Sequence, residues 1–234
     1  MELLNELNIP DCGKQRIPVK TLVEQLNPTL ENKKVVESHI ASMYLVSVLD
    51  QNTIRIRPYK DEEVTYQTIY VFEINLKKDD SLMALVEQVH SAFPEPTVLL
   101  LKGNNKIHIS VAKKRLNKVN LNNSILLENV LAELNDKNIC YLDFKQIGGN
   151  TLKDYYYHLI DDVYKIKVFN ITDVYPKKDM DFNNVIKKYE ELKANINKLK
   201  IEYKQASMKS EKIRIDDDLF DVEEELKTLV KDLR

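Results

Sequence analysis

The sequence predicts an α+β fold, a mixed or antiparallel sheet with helices packed on it, followed by a helical, coiled-coil-like tail. Three observations predict it. Short segments rich in β-branched and aromatic residues recur between residues 40 and 112. Apolar residues fall at helical spacing in 81–93 and again beyond residue 151. From Val185 onward they form a seam in steps of three and four.

Composition agrees. The 234 residues suffice for one domain with an appendage, or for two small domains. An apolar share of 43% can build a core, whereas 31% charged residues and only four glycines favour helices with solvated faces over a turn-rich β-sandwich. Thirty-five basic residues nearly cancel 37 acidic ones, so any case for nucleic acid rests on local charge. Cys12 and Cys140 make neither a metal set nor a disulfide framework. The start, MELLNELNIPDCGK, lacks the basic and apolar regions of a signal peptide. No apolar run approaches the ~20 residues of a membrane span, so a cytoplasmic protein with no membrane contact is expected.

Taken in order, Pro18 sits where a short helix through Leu26 begins, and NPTLENKKVVESH holds a second. SMYLVSVL, TIRIRP and TIYVFEINL read as strands, with the charged PYKDEEVTYQ as a hairpin connection between the last two. SLMALVEQVHSAF, residues 81–93, aligns Leu82, Leu85, Val86, Val89 and Phe93, with Ser81 as N-cap. TVLLLK and KIHISVA follow as strands around GNN. SILLENVLAELN reads as a short amphipathic helix, and TLKDYYYHLIDDVYKIKVF as a longer one whose end, KIKVFNI, also fits a strand. Pro176 and KKDMD mark a boundary between an α+β domain, 1–176, and a helical tail, 177–234.

In the tail, Val185, Tyr189, Leu192, Ile196, Leu199, Tyr203 and Ala206 make the seam, and Leu219, Val222, Leu226, Leu229 and Leu233 resume it. The break falls at SMKSEKIRIDDD, and Asp216, Asp217 and Asp218 look like the start of a separate last helix. Residues 186–214 hold nine Lys/Arg and four Asp/Glu, a balance of +5. Residues 215–234 hold three and eight, a balance of −5. The two halves either fold as a hairpin or pair between chains. An apolar seam needs a cover in either case, so the tail is read as an association element for self-association or for a protein partner.

Chemical candidates are few. In VFEINLK, residues 71–77, Glu73, Asn75 and Lys77 share one strand face. A metal-dependent nuclease pairs two carboxylates on a divalent ion with a lysine near the phosphate; Asp61 or Glu63 would supply the second carboxylate here. The same pattern also suits an amphipathic strand with a solvated polar face. The stretch 102–118 holds Lys102, Lys106, Lys113, Lys114, Arg115 and Lys118 with no acid, a charge pattern suited to duplex DNA and short of the aromatics that single strands need. His90 reads as a surface or boundary residue of its helix, and YYYH at 155–158 as packing. No phosphate loop, zinc set or triad is found, so no cofactor is expected.

Several stretches together, IPDCGKQRIPVKTLVEQ, RPYKDEEVTYQTIYVFEINLKK, FPEPTVLLL, ISVAKKRLN and EKIRIDDDLFDVEEELKTL, resemble the bacterial domain-of-unknown-function family numbered forty-three ninety-one. The resemblance covers most of the chain, and its motifs are those of a fold. It implies a setting beside DNA methyltransferases and helicases in restriction-modification or antiphage loci, hence such a subunit as partner. This chain departs from the family pattern in two places. VEEEL lacks the asparagine common there, and Asn75 stands where the family often has glutamate. The expected function is a non-enzymatic accessory or adaptor subunit of such an assembly. The alternative is the nuclease built on Glu73 and Lys77.

Overall fold

The structure, a computed structural model, describes residues 2–25, 30–117 and 124–234. The chain enters through α1 (Glu2–Glu6), β1 (Gln15–Ile17), α2 (Val19–Gln25) and α3 (Leu30–His39). β2 (Ile40–Leu49), the one-turn α4 (Gln51–Ile54), a small hairpin of β3 (Tyr59–Lys60) and β4 (Thr65–Tyr66), and β5 (Ile69–Leu76) follow. Then come α5 (Leu82–Ala92), β6 (Thr97–Lys102), β7 (Ile107–Leu116), β8 (Ser124–Leu134), α6 (Leu152–Thr172), α7 (Phe182–Gln205) and α8 (Lys209–Asp232). The fold is α+β with C-terminal helices.

Six strands form one mixed sheet in the order β1-β2-β5-β6-β7-β8. Among the described residues, only β5 and β6 of this sheet run parallel, and α5 makes the crossover that a parallel pair requires. Strand alternation gives the sheet two faces. Phe72, Ile74, Leu76, Leu99 and Leu101 meet Leu85, Val86 and Val89 of α5 and Leu22 and Val36 of α2 and α3 in one buried cluster. The other face meets α6. There the Tyr164 hydroxyl donates to Glu128 of β8, and Lys113 of β7 stands 5.7 Å over the Tyr157 ring. Tyr156 joins two strands, donating to the Thr97 carbonyl at 2.8 Å and accepting the Ala112 amide at 3.1 Å. Tyr156→Phe leaves both groups unpaired in a buried site. A loss of about 1–3 kcal/mol is expected, read as a lower urea midpoint at unchanged slope.

The chain divides into two compact units, Met1–Lys167 and Val168–Arg234. The division lies inside α6, upstream of the expected boundary at Pro176. Within the second unit α7 and α8 form an antiparallel hairpin. Phe182, Ile186, Leu192, Ile196 and Ile215 are buried, and Lys188–Glu225 (2.8 Å) and Lys200–Glu223 (3.0 Å) bridge the two helices. The oppositely charged halves of the tail therefore meet inside one chain.

Four local readings are corrected. TIRIRP forms no strand, because Asp50 caps α4. Its side chain accepts the Asn52 and Thr53 amides at 2.8 and 2.9 Å, and Thr53 Oγ1 accepts the Asp50 amide in return. Arg55 then turns left-handed at φ 58°. SILLENVLAELN is β8, not a helix. It pairs with β7 from Leu116↔Ser124 to Ile107↔Leu134, and Val130, Ala132 and Leu134 alternate inward. KIKVFNI continues α6, which stops where Asp173 adopts φ 56°. The last helix starts at Lys209, a full two turns before the aspartates. Ser81 does precede α5, in the left-handed region at φ 49°, but its side chain makes no capping bond. Leu26, the expected end of the first short helix, lies outside the described residues.

Candidate functional site

Glu73 occupies the centre of the sheet, opposite Tyr44 on β2 and Leu100 on β6. It is 3% exposed, on the face away from α5. Lys102, at the end of β6, donates to Oε2 at 2.8 Å, and Lys14, in the lead-in to β1, donates to Oε1. The Lys14 ammonium also lies 4.3 Å from the Tyr44 ring centre. Two residues along β5, Asn75 donates to Ser42 Oγ at 2.8 Å. Burial opposes the Glu73 charge, but the two ammoniums outweigh it and hold the carboxyl below its ordinary range.

The other residues of the nuclease arrangement have separate partners. Lys77 lies past the end of β5, where its ammonium donates to the Glu37 carbonyl at 2.7 Å and its amide to the His39 carbonyl at 2.7 Å. It thus satisfies the last turn of α3. Asp61 accepts the Glu63 and Val64 amides at 2.8 and 2.7 Å and the Tyr59 hydroxyl at 2.9 Å. Those amides pull its carboxyl down to about 2 and make it the anchor of the β3–β4 turn. Glu63 is exposed on the same turn. Among the described residues, no group of three or more His, Cys, Asp or Glu could hold a metal ion.

The basic stretch does not form one surface, because most of it lies in a strand whose neighbours point to opposite faces. Lys102 is on Glu73, Lys106 on Glu133 at 2.7 Å, and Lys113 on Glu128 at 3.2 Å. Arg115 is exposed. Lys118 lies outside the described residues. Lys114 is 6% exposed and points inward. Its ammonium donates to the Phe93 carbonyl (3.0 Å), the Glu95 carbonyl (2.8 Å) and Thr97 Oγ1 (3.2 Å). Burial with neutral acceptors lowers this amine to about 7.

Thr97 also meets His90 Nδ1 at 2.7 Å, and Ser110 Oγ lies 3.0 Å from His90 Nε2. His90 is therefore a fully buried hub of α5 and not a boundary residue. Desolvation, aided by the Lys114 charge, keeps it neutral far below the usual histidine range. No local sequence signal announces this network, since its members come from α5, β6 and β7.

On the hairpin, the expected seam residues divide. Leu192 and Ile196 are buried, and Val185, Tyr189, Leu199, Leu226 and Leu229 are half-buried between the helices. Tyr203 is exposed, with Lys212 5.6 Å from its ring.

The family described as a domain of unknown function (DUF4391) matches residues 7–226, and the chain belongs to it. No curated protein and no solved structure matches.

Proposed function

We propose that this chain is a non-enzymatic accessory subunit of a bacterial DNA-modification or antiphage assembly, docking on a larger partner through the tip of its helical hairpin. The observation that supports this most is the distribution of exposed large apolar side chains. Of eight among the described residues, five (Ile201, Tyr203, Met208, Ile213 and Phe220) lie on the hairpin. Met208, 66% exposed, sits in the turn itself, and Ile201, 57% exposed, lies close before it. Exposed apolar groups gathered at one end of a helical hairpin favour protein contact. The setting that the family resemblance implies makes a methyltransferase or helicase subunit the proposed partner.

Direct contact of the basic stretch with duplex DNA draws less support, because three of its lysines already face carboxylates and Lys114 is buried. The nuclease reading draws less still, since Asp61, Glu73 and Lys77 are committed to separate partners.

The test is co-purification of the tagged full chain from bacterial cells that carry the candidate helicase and methyltransferase subunits. Ile201→Asp/Met208→Asp is expected to keep its helicity and lose the partner. A partner retained undiminished by that variant overturns the docking role of the tip.

A further inference from the structure

The α7–α8 seam uses one side of α8. On its outer side, Ile213, Phe220 and Lys227 fall near one line, because seven residues come within about 20° of two full turns, and Arg234 follows just past the helix end. Ile213 is 55% and Phe220 62% exposed. Charge along this line is polarised. Asp216 and Asp217 flank Phe220 on one side, with Glu223 bridged to Lys200 and Glu224 to Lys227 on the other, whereas Lys231 and Arg234 take the C-terminal end. Beside these cations lies a groove of about 330 Å³, lined also by Tyr189, Leu226 and Val230. The outer side of α8 thus carries an aromatic knob in an acidic collar and, ten residues on or about 15 Å away, the basic rim of an apolar groove that it shares with Tyr189 of α7.

We propose that the occupant of this groove is Phe220 of a second copy of this chain, in an antiparallel pairing of two α8 helices about a twofold axis. A knob and a groove along one helix are what such an axis, midway between them, would need. Each copy then gives its knob to the other's groove, and both ends are filled at once. The antiparallel sense sets Asp216 and Asp217 of one copy against Lys231 and Arg234 of the other. A foreign acidic helix could enter the groove, but it would leave the chain's own Phe220 in water. The second copy covers both. This inference rests on the association reading of the hairpin, but it uses the outer face of α8 with the adjoining seam edge at Tyr189 and Leu226, and leaves the Ile201 and Met208 tip free. A single helix–helix contact is small, so a reversible dimer in the micromolar range is expected.

The test is light scattering coupled to size-exclusion on the full chain across protein concentration, at low and high salt. The wild type should dimerise with rising concentration and dissociate with salt. Asp216→Lys/Asp217→Lys and Lys231→Glu/Arg234→Glu should each dimerise about tenfold more weakly or worse, with circular dichroism unchanged. Mixed in equal amounts, the two variants should form a heterodimer, because each then meets its opposite at both ends. A wild type that stays monomeric, a dimer indifferent to both reversals, or a mixture that stays monomeric overturns the proposal. None of these outcomes bears on whether the tip variant loses its partner, so the two readings fall separately.

Discussion

Raising the pH from 7 to 10 is expected to stabilise the α+β unit, and Lys114→Met is expected to abolish most of that gain. The buried amine lies near 7 in the fold and near 10.5 in an unfolded chain. Between those values the unfolded chain binds a proton that the folded one does not, so stability rises across this window. Below 7 both states are protonated, and the fold carries the cost of a buried ammonium whose hydrogen-bond acceptors are all neutral and which the Glu95 charge offsets only in part. At 1.36 kcal/mol per tenfold change, the rise is on the order of 3 kcal/mol. Histidine and tyrosine titrations bound the window. His90 stays neutral in the fold, so protonation of the unfolded chain lowers stability further below about pH 6.5. Tyr66, Tyr155 and Tyr156 have raised phenols, so stability turns down again once the unfolded tyrosines ionise, near pH 10. Methionine at 114 also leaves the Phe93 and Glu95 carbonyls without this donor, so absolute stability shifts as well. The slope of unfolding free energy against pH is therefore the diagnostic. A slope unchanged in Lys114→Met contradicts the assignment.

Lys102→Met is expected to destabilise the sheet more than Glu73→Gln does. Removing the lysine leaves a 3%-exposed carboxylate with Lys14 alone, itself half exposed, and breaking a buried pair from one side costs about 3 kcal/mol. Glutamine removes the buried charge and keeps the shape, its oxygen still accepts from Lys102, and the half-exposed Lys14 can turn to solvent, so about 1 kcal/mol is expected. The pH dependence has a fixed sign. The Glu73 carboxyl is depressed in the fold, so its contribution is present above the ordinary glutamate range and is lost as pH falls through the folded value. Glu73→Gln should flatten acid unfolding, and urea titrations at pH 4 and 7 would read both effects. Glu73→Gln as the more damaging change would contradict this ordering. Abolished divalent-dependent DNA cleavage in a stably folded Glu73→Gln would instead revive the nuclease reading.

Local pattern made much of this fold legible. The 81–93 stripe became α5, TVLLLK became β6, and the tail became two helices with opposite charge facing each other. The errors have physical causes. Leu126, Leu127, Val130, Leu131 and Leu134 satisfy a helical spacing, while Val130, Ala132 and Leu134 satisfy an alternating one, and pairing along β7 decided between them. The capping box at Asp50 overrode the β-branched character of TIRIRP. The site was less legible than the fold. Glu73 draws Lys14 from 59 residues away and Lys102 from 29, and no local spacing encodes that meeting. Lys113, Lys114 and Arg115 read as one patch only while their strand is ignored, since alternation sends Lys114 inward.

Cross-linking mass spectrometry on the assembled complex, with a lysine-reactive reagent, tests most directly whether the hairpin tip is the working surface. Lys204, Lys209 and Lys212 flank the α7–α8 turn, whereas Lys14, Lys77 and Lys102 lie at the sheet. Partner cross-links are expected to concentrate on the first three. Cross-links concentrated on Lys14, Lys77 and Lys102 would contradict this and return the working surface to the sheet.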